Sequence, residues 1–326
     1  MEKTKQVLPS LSSNPRIAVT STSFGKSITL RKELKEVFPN SYFNENSSRL
    51  SEPELGNFLK DADAAIVGIE PITDIVLGKA TRLKIISKYG VGLDNIDKNL
   101  LNKNNIILGW TGGVNRRSVS ELTLCCMLGL CRNIFASGYS LKQSKWEKEG
   151  GWQLTEKTVG IIGCGKIGSD LIQLLSPFGC KILIHDIIDK SEFCREYGAS
   201  EASLKEIIEN SDIISLHVPL TELTYRMVNT NFLKKMKPTA FLINTCRGDV
   251  VDQGSLKEAL KNERLAGAAL DVFIKEPPTD IELLSLPNLM VTPHIGGNAR
   301  EAVEAMGRSA INHLVSFFHN KQSKHS

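Results

Sequence analysis

From Arg16 onward, short β-branched runs alternate with amphipathic stretches. Ile17–Thr20, Ala64–Val67, Lys84–Ser87 and Ile106–Leu108 read as strands with helical segments between them. That alternation is the grammar of repeated strand–helix–strand units. A second and stronger series follows at Thr158–Ile162, Lys181–His185, Asp212–Leu216, Ala240–Asn244, Gly267–Leu270 and Leu289–Val291. Strands separated by helices pair in parallel, and this second series is long enough for a full doubly wound sheet. The expected class is α/β with two doubly wound parallel-sheet domains. Between the series, Ser118–Asn133 carries apolar residues at 119, 122, 124, 127, 128, 130 and 131 and no proline. It reads as one long buried helix joining the domains. Ala299–His319 repeats the helical spacing at Ala302, Val303, Met306, Ala310, Leu314 and Phe317, and is expected to close the fold.

Composition agrees with two domains: 326 residues with 41% apolar content can build buried cores of ordinary size. Forty Lys and Arg against 36 Asp and Glu leave a net charge of +4 spread along the chain. That is no basis for a nucleic-acid or anionic-membrane partner. The seven cysteines lie mostly in apolar segments, with no CxxC or Cys/His spacing. They read as reduced thiols of a cytoplasmic protein, and no metal site is expected. The longest apolar stretch, Leu122–Cys131, is about half of what a bilayer crossing needs, so no membrane span is expected. Residues 1–14 are polar and carry Pro9, which reads as a loose leader and not an export signal.

The first candidate chemistry is Gly163-Cys164-Gly165-Lys166-Ile167-Gly168. A lone GxGxxG is weak evidence, but this one falls where the apolar run Thr158–Ile162 turns into helical periodicity at Ile167, Leu171, Ile172 and Leu175. In that context Gly163 permits the tight turn, Gly165 lets backbone approach a pyrophosphate, and Gly168 lets the helix pack on the strand. The helix start offers its N–H groups and the positive end of its dipole. Asp186 ends the next strand, 18 residues past Gly168. A carboxylate there accepts from both ribose hydroxyls and repels a 2′-phosphate, and Ile187, Ile188 and Asp189 supply no arginine to reverse the choice. The expected cofactor is NAD.

Three more residues follow predicted strands, at the edge where open α/β sheets bind ligands. Arg247, in Asn-Thr-Cys-Arg-Gly-Asp, has a planar fork that suits a carboxylate. His294, in Thr-Pro-His-Ile-Gly-Gly, can exchange a proton near neutral pH. Glu276, before Pro277 and Pro278, could hold that imidazole and keep it protonated as an acid. Taken singly, each also fits a surface or turn residue. His217 precedes Val218 and Pro219, where backbone contact with a nucleotide fits better than catalysis. His185, His313, His319 and His325 fall at a strand end, on the closing helix or in the tail.

At this point the chain resembles the D-isomer-specific 2-hydroxyacid dehydrogenase family, in its phosphoglycerate dehydrogenase-like subgroup, from about Ile17 to Phe318. The blocks are Lys88-Tyr-Gly-Val-Gly-Leu-Asp-Asn-Ile-Asp97, Val119-Ser-Glu-Leu-Thr123, the glycine loop, Leu216-His-Val-Pro-Leu-Thr221, Asn244-Thr-Cys-Arg-Gly-Asp249, Ala269-Leu-Asp-Val-Phe273, Glu276-Pro-Pro278 and Thr292-Pro-His-Ile-Gly-Gly297. The resemblance implies His294 as acid/base, Glu276 as its partner, and Arg247 as the group that binds the substrate carboxylate and polarises its carbonyl. It implies that backbone at Val91 and Gly92, with Lys88 and Tyr89 alongside, serves the substrate. Asp271 would accept from the nicotinamide carboxamide, near Thr123, Thr245, Cys246, Gly296 and Gly297, and the backbone at His217, Val218 and Pro219 would line the nucleotide. It further implies a Rossmann cofactor domain, residues 115–298, inserted in a flavodoxin-like substrate domain, residues 1–114 and 299–326.

Lys88 stands where phosphoglycerate enzymes of this kind often place an arginine, so it is either an anion reader or a solvated rim residue. Arg116 and Arg117 suit an anion or the opening of a helix equally. With 32 residues after His294, allosteric control by an appended regulatory domain is not expected. The expected reaction is hydride transfer between NAD(H) and C2 of a small D-2-hydroxy acid or 2-keto acid, with 3-phosphoglycerate, hydroxypyruvate and glyoxylate all open, in a homodimer. The alternative is a non-catalytic NAD-sensing scaffold of the corepressor type, which would bind NADH and turn over no keto acid.

Overall fold

A computed structural model of the chain describes residues 14–46, 48–148 and 150–322. The expected leader lies outside them apart from Asn14, as does His325. Two compact units divide the chain: Met1–Asn115 with Arg300–Ser326, and Arg116–Ala299.

The first unit is built on β1 (Ile17–Val19), β2 (Ser41–Phe43), β3 (Ala64–Val67), β4 (Ile85–Lys88) and β5 (Ile107–Gly109). All are parallel, in the order β2-β1-β3-β4-β5, which is the flavodoxin-like winding. β1, β3 and β4 are buried at every residue. Helices cover both faces of such a sheet, so its strands show continuous apolar runs instead of alternation. β2 has no counterpart in the sequence reading, because Ser41-Tyr42-Phe43 offers only two apolar residues in a row. The closing helix Arg300–Gln322 buries Met306, Ala310, Ile311, Leu314 and Phe318 in the same core as Ile17, Val19, Ile66 and Ile85. Ser87 Oγ donates to Ala310 O at 2.8 Å, which ties that helix to β4.

The second unit holds β6 (Thr158–Ile162), β7 (Lys181–His185), β8 (Ser200–Glu201), β9 (Ile213–Leu216), β10 (Phe241–Asn244), β11 (Gly267–Leu270) and β12 (Leu289–Val291). These too are parallel, in the order β12-β11-β10-β9-β6-β7-β8. The six expected strands are all present. The seventh, β8, is two exposed residues long, too short and too polar to leave a hydrophobic signal. From β6 the chain winds out to β8 and then returns to β9 on the other side, so the topological switch lies between β6 and β9. Ligands bind at the carboxyl ends of strands beside such a switch.

The helix expected at 118–133 spans Arg116–Cys131 and buries Val119, Thr123, Cys126, Met127 and Cys131. The chain then turns through Asn133, whose φ of 51° is left-handed, and the helix Ile134–Lys142 follows at a 65° bend. Among the described residues no single helix is long and apolar enough to cross a membrane.

Leu314 is fully buried in the core of the first unit, between Ile311 and Phe318 on the same helix. Leu314→Ala is expected to cost about 2–5 kcal/mol, read as a lower urea midpoint for the transition of the first unit. A midpoint within error of wild type would show that the closing helix does not hold this core.

Candidate active site

Three glycines shape the loop after β6, each for its own steric reason. Gly163 has φ +93°, and a Cβ there would sit 2.7 Å from the carbonyl carbon and oxygen of His217. A Cβ on Gly168 would lie 2.2 Å from Gly163 O. The helix Lys166–Leu175 therefore starts hard against the strand end, and the loops after β6 and β9 touch at the switch point. At Gly165 a Cβ would meet nothing within 4 Å, so this face of the loop is open to a ligand. No side chain caps the helix start at Gly165. Open space against a helix N-terminus is what a pyrophosphate needs, and the residues present fit a dinucleotide.

Asp186 follows β7 and is tied to this loop. Its Oδ2 accepts from the Cys164 N–H at 2.7 Å and its Oδ1 from the Ile188 N–H at 3.0 Å. Each carboxylate oxygen keeps a second lone pair for a ribose hydroxyl. His217 is half-buried, with Nε2 against Ser215 Oγ at 2.9 Å and Nδ1 buried without a partner among the described residues. Burial pushes this imidazole down to about 4, so it is neutral at pH 7 and suits a structural or packing role better than proton transfer. Val218 packs partly on the core of the sheet, and Pro219 is exposed.

At the ends of β10, β11 and β12 the three expected catalytic side chains are presented by one framework. Asn244, fully buried, bridges the turn after β10: Nδ2 donates to Arg247 O at 2.9 Å, and Oδ1 accepts from Cys246 N at 3.0 Å and Cys246 Sγ at 3.1 Å. The same turn has Arg247 Nη1 donating to Cys246 O at 2.6 Å. Burial pushes the Cys246 thiol up to about 11, which makes it a packing group and not a nucleophile. Gly248 has no room for a side chain, since a Cβ would fall 2.0 Å from the Phe273 carbonyl carbon. The loops after β10 and β11 thus press backbone to backbone beside Arg247.

Glu276 accepts from the Phe273 N–H through Oε1 at 3.1 Å and meets His294 Nδ1 through Oε2 at 2.7 Å. The His294 side chain is 50% exposed, so with Nδ1 engaged its Nε2 is the nitrogen left for chemistry. His294 has φ 55°, a left-handed conformation that costs a non-glycine residue roughly 1–2 kcal/mol. Asp271 holds that backbone in place. Its Oδ1 accepts from Thr292 Oγ1 at 2.6 Å and Ile295 N at 2.8 Å, and its Oδ2 accepts from Gly296 N at 2.8 Å. Three of the roughly four acceptor positions of a carboxylate are used, leaving one for a carboxamide. Thr123 and Thr245 face each other at 3.0 Å nearby, and a Cβ on Gly296 would touch Asp271 Oδ2 at 2.8 Å. Gly297 follows half-buried. Lys166 and Ile167 open the helix at the glycine loop, with Ile167 O accepting from Ser120 Oγ at 3.2 Å.

Two expected substrate residues depart from expectation. Lys88 is buried, and its ammonium donates to Gly68 O and, at 2.8 Å, to Asn95 Oδ1. It is neither a solvated rim residue nor turned outward as an anion reader. Tyr89 is buried against Phe24 in an edge-to-face contact at 5.6 Å, with its hydroxyl 3.2 Å from Ser23 Oγ. Both serve the interior of the first unit. Val91 and Gly92, in the loop after β4, are half-buried. Arg116 and Arg117 pair with Asp170 at 3.7 and 3.0 Å, which favours the helix-opening reading. Asn244 and Gly248 were not singled out from sequence. Their signal was a polar residue closing an apolar run and a glycine directly after an arginine, and neither means much before the loops are seen together.

A glycine loop open at the switch point, a carboxylate tied to it and an imidazole–carboxylate pair at the strand ends fit a dinucleotide-dependent oxidoreductase. The family model for the NAD binding domain of D-isomer specific 2-hydroxyacid dehydrogenases matches residues 124–296. The chain belongs to that family; it is an enzyme, an NAD-dependent dehydrogenase of 2-hydroxy acids. It is 38% identical over 269 residues to a glyoxylate reductase of Thermococcus litoralis, covering 79% of this chain and 81% of that one. To a D-3-phosphoglycerate dehydrogenase of Methanocaldococcus jannaschii it is 36% identical over 296 residues, 90% of this chain and 55% of the other. The crystal structure of D-lactate dehydrogenase from Aquifex aeolicus, complexed with NAD and lactic acid, matches with a TM-score of 0.82 at 27% identity, covering 94% and 96% of the two chains.

The depressed His217 makes a pH prediction. An unfolded imidazole takes up its proton near 6.5 and the folded one only near 4. Between those values the unfolded chain binds more protons, so stability is lost as pH falls from about 6.5 to about 4. His217→Gln is expected to flatten the stability curve over that window, measured by urea unfolding at a series of pH values. An unchanged slope would show that the ring is not held neutral.

Proposed function

We propose that the enzyme reduces a small, unphosphorylated 2-keto acid of the glyoxylate or hydroxypyruvate type, with Arg247, Glu276 and His294 as its working groups. The observation that carries this reading is the 2.7 Å contact of Glu276 Oε2 with His294 Nδ1 on an imidazole half open to solvent. Bound NADH supplies the hydride that C2 of the keto acid receives. Gly163, Gly165 and Gly168, the helix start at Lys166 and Ile167, and Asp186 hold the cofactor, with backbone at His217, Val218 and Pro219 lining it. Thr123, Thr245, Cys246, Asp271, Gly296 and Gly297 form the pocket for its carboxamide end. Arg247 clamps the substrate carboxylate and stabilises charge on the carbonyl oxygen. His294, oriented by Glu276, donates its Nε2 proton to the developing alkoxide; oxidation of the hydroxy acid reverses these roles.

Preference for an unphosphorylated acid is supported by Lys88, whose ammonium is spent on Gly68 O and Asn95, and by the likeness to a glyoxylate reductase. The unit Arg116–Ala299 is read as the cofactor domain and the other as the substrate domain. Seven free cysteines, five of them buried, suit a cytoplasmic protein kept reduced.

We also propose a homodimer. The helix Ile134–Lys142 buries none of its residues within the chain, and Ile134, Phe135, Tyr139 and Leu141 are each more than half exposed. An apolar helix in that state suits a two-fold interface.

A panel of glyoxylate, hydroxypyruvate, pyruvate and 3-phosphohydroxypyruvate, followed by NADH absorbance, tests the chemistry. His294→Ala is expected to lower kcat by roughly 10²–10⁴, and Arg247→Ala to lower kcat/KM by a comparable factor. Wild-type turnover in both variants would remove the mechanism, and a preference for the phosphorylated acid would remove the substrate assignment. For the dimer, the double variant Phe135→Asp, Tyr139→Asp is expected to halve the mass seen by light scattering on a sizing column; an unchanged mass would rule that helix out as the interface.

A further inference from the structure

The loop after β4 is held at two points. Asn95 fixes its far end: its side chain donates to Gly68 O at 3.2 Å and Glu70 O at 2.6 Å, accepts from Lys88, and its carbonyl accepts from Ile72 N at 3.0 Å. The near end follows Gly90, at φ +119°, and between them lies the peptide that joins Val91 to Gly92. Among the described residues of the first unit, one side chain grips that peptide. Trp110, just past β5, donates its indole N–H to Val91 O at 2.9 Å.

The geometry of a peptide bond gives this contact a second effect. Val91–Gly92 is trans; among the described residues the cis peptide is Glu276–Pro277. In a trans peptide the C=O and the following N–H point in opposite directions in one plane. An indole that holds the Val91 carbonyl therefore turns the Gly92 N–H away from itself. Among the described residues neither the Val91 nor the Gly92 N–H donates to any acceptor. The indole is itself seated: a Cβ on Gly112 would come within 3.0 Å of its ring, and Lys98 Nζ lies 5.6 Å from the ring centre. Gly112 leaves the ring its place, and the lysine holds it from another side.

We infer that Trp110 is a positioning residue for the substrate carboxylate: by fixing the Val91 carbonyl it presents the Gly92 N–H as a donor to the acid group. This rests on the reading of Val91 and Gly92 as carboxylate-binding backbone. Trp110 touches no reacting atom. It sets the orientation of a peptide whose rotation would otherwise offer a carbonyl oxygen, and so a repulsion, to the anion.

Trp110→Phe keeps an aromatic ring over Gly112 and removes the donor. The expected result is a rise of about tenfold in KM for the keto acid, the size of one oriented hydrogen bond. The kcat should stay within about twofold and the KM for NADH and the melting temperature should not move, the pattern of lost ground-state binding. Binding of oxamate to the enzyme–NADH complex, measured by calorimetry, should weaken by the same factor. Unchanged keto-acid KM and oxamate affinity in an active Trp110→Phe enzyme would overturn this inference alone. So would a KM rise accompanied by an equal rise for NADH or a fall in melting temperature, which would mark a structural role. A wild-type enzyme that neither reduces a keto acid nor binds oxamate would overturn the proposed function together with it.

Discussion

Buried at 2% exposure, the Asp271 carboxylate collects the Thr292 hydroxyl and the N–H groups of Ile295 and Gly296. A buried anion without such donors would be costly, and its satisfaction here is coupled to the shape of the loop that carries His294. The left-handed backbone of His294 is sustained because the residues on either side are fixed by the same carboxylate. From there the imidazole reaches Glu276, and Glu276 is in turn fixed by the Phe273 N–H. Phe273 lies three residues after the end of β11, against the bare backbone of Gly248 beside Arg247. Remove the carboxylate at 271 and each later contact loses its reference.

The chain solves a similar problem twice. In the second unit Asn244 grips the backbone around Arg247, and in the first Asn95 grips the loop after β4. In both, a short amide side chain satisfies donors and acceptors that a strand end leaves open. A loop held this way keeps its polar groups aimed before a ligand arrives, and less ordering remains to be done on binding.

The strands with unbroken β-branched runs could be read directly from the sequence, because parallel strands covered on both faces must be apolar at every position. β2 and β8 could not. They are edge strands of three and two residues, and pairing with a neighbour far away in sequence decides them. The glycine loop, Asp186 and the Arg247–Glu276–His294 set were legible as candidates because residue type and position after a strand suggest their chemistry. Lys88 and Trp110 were not. A lysine reads as a surface charge until Gly68 O and Asn95 are seen around its ammonium, and a tryptophan after a strand reads as bulk until its N–H is found on a carbonyl 19 residues away. In each case the meaning lies in a partner that local sequence does not name.

The Cys164 N–H donating to Asp186 links two properties that are usually treated as separate. In the proposed function Asp186 selects against a 2′-phosphate, while the glycine loop provides the grip on the pyrophosphate. Because one hydrogen bond joins them, exchanging the aspartate for a neutral residue to admit the phosphorylated cofactor also releases an amide inside the phosphate loop. A redesign of cofactor preference in this enzyme therefore has to supply a new acceptor for Cys164 as well as a new partner for the ribose, or gain its selectivity at the expense of affinity for either dinucleotide.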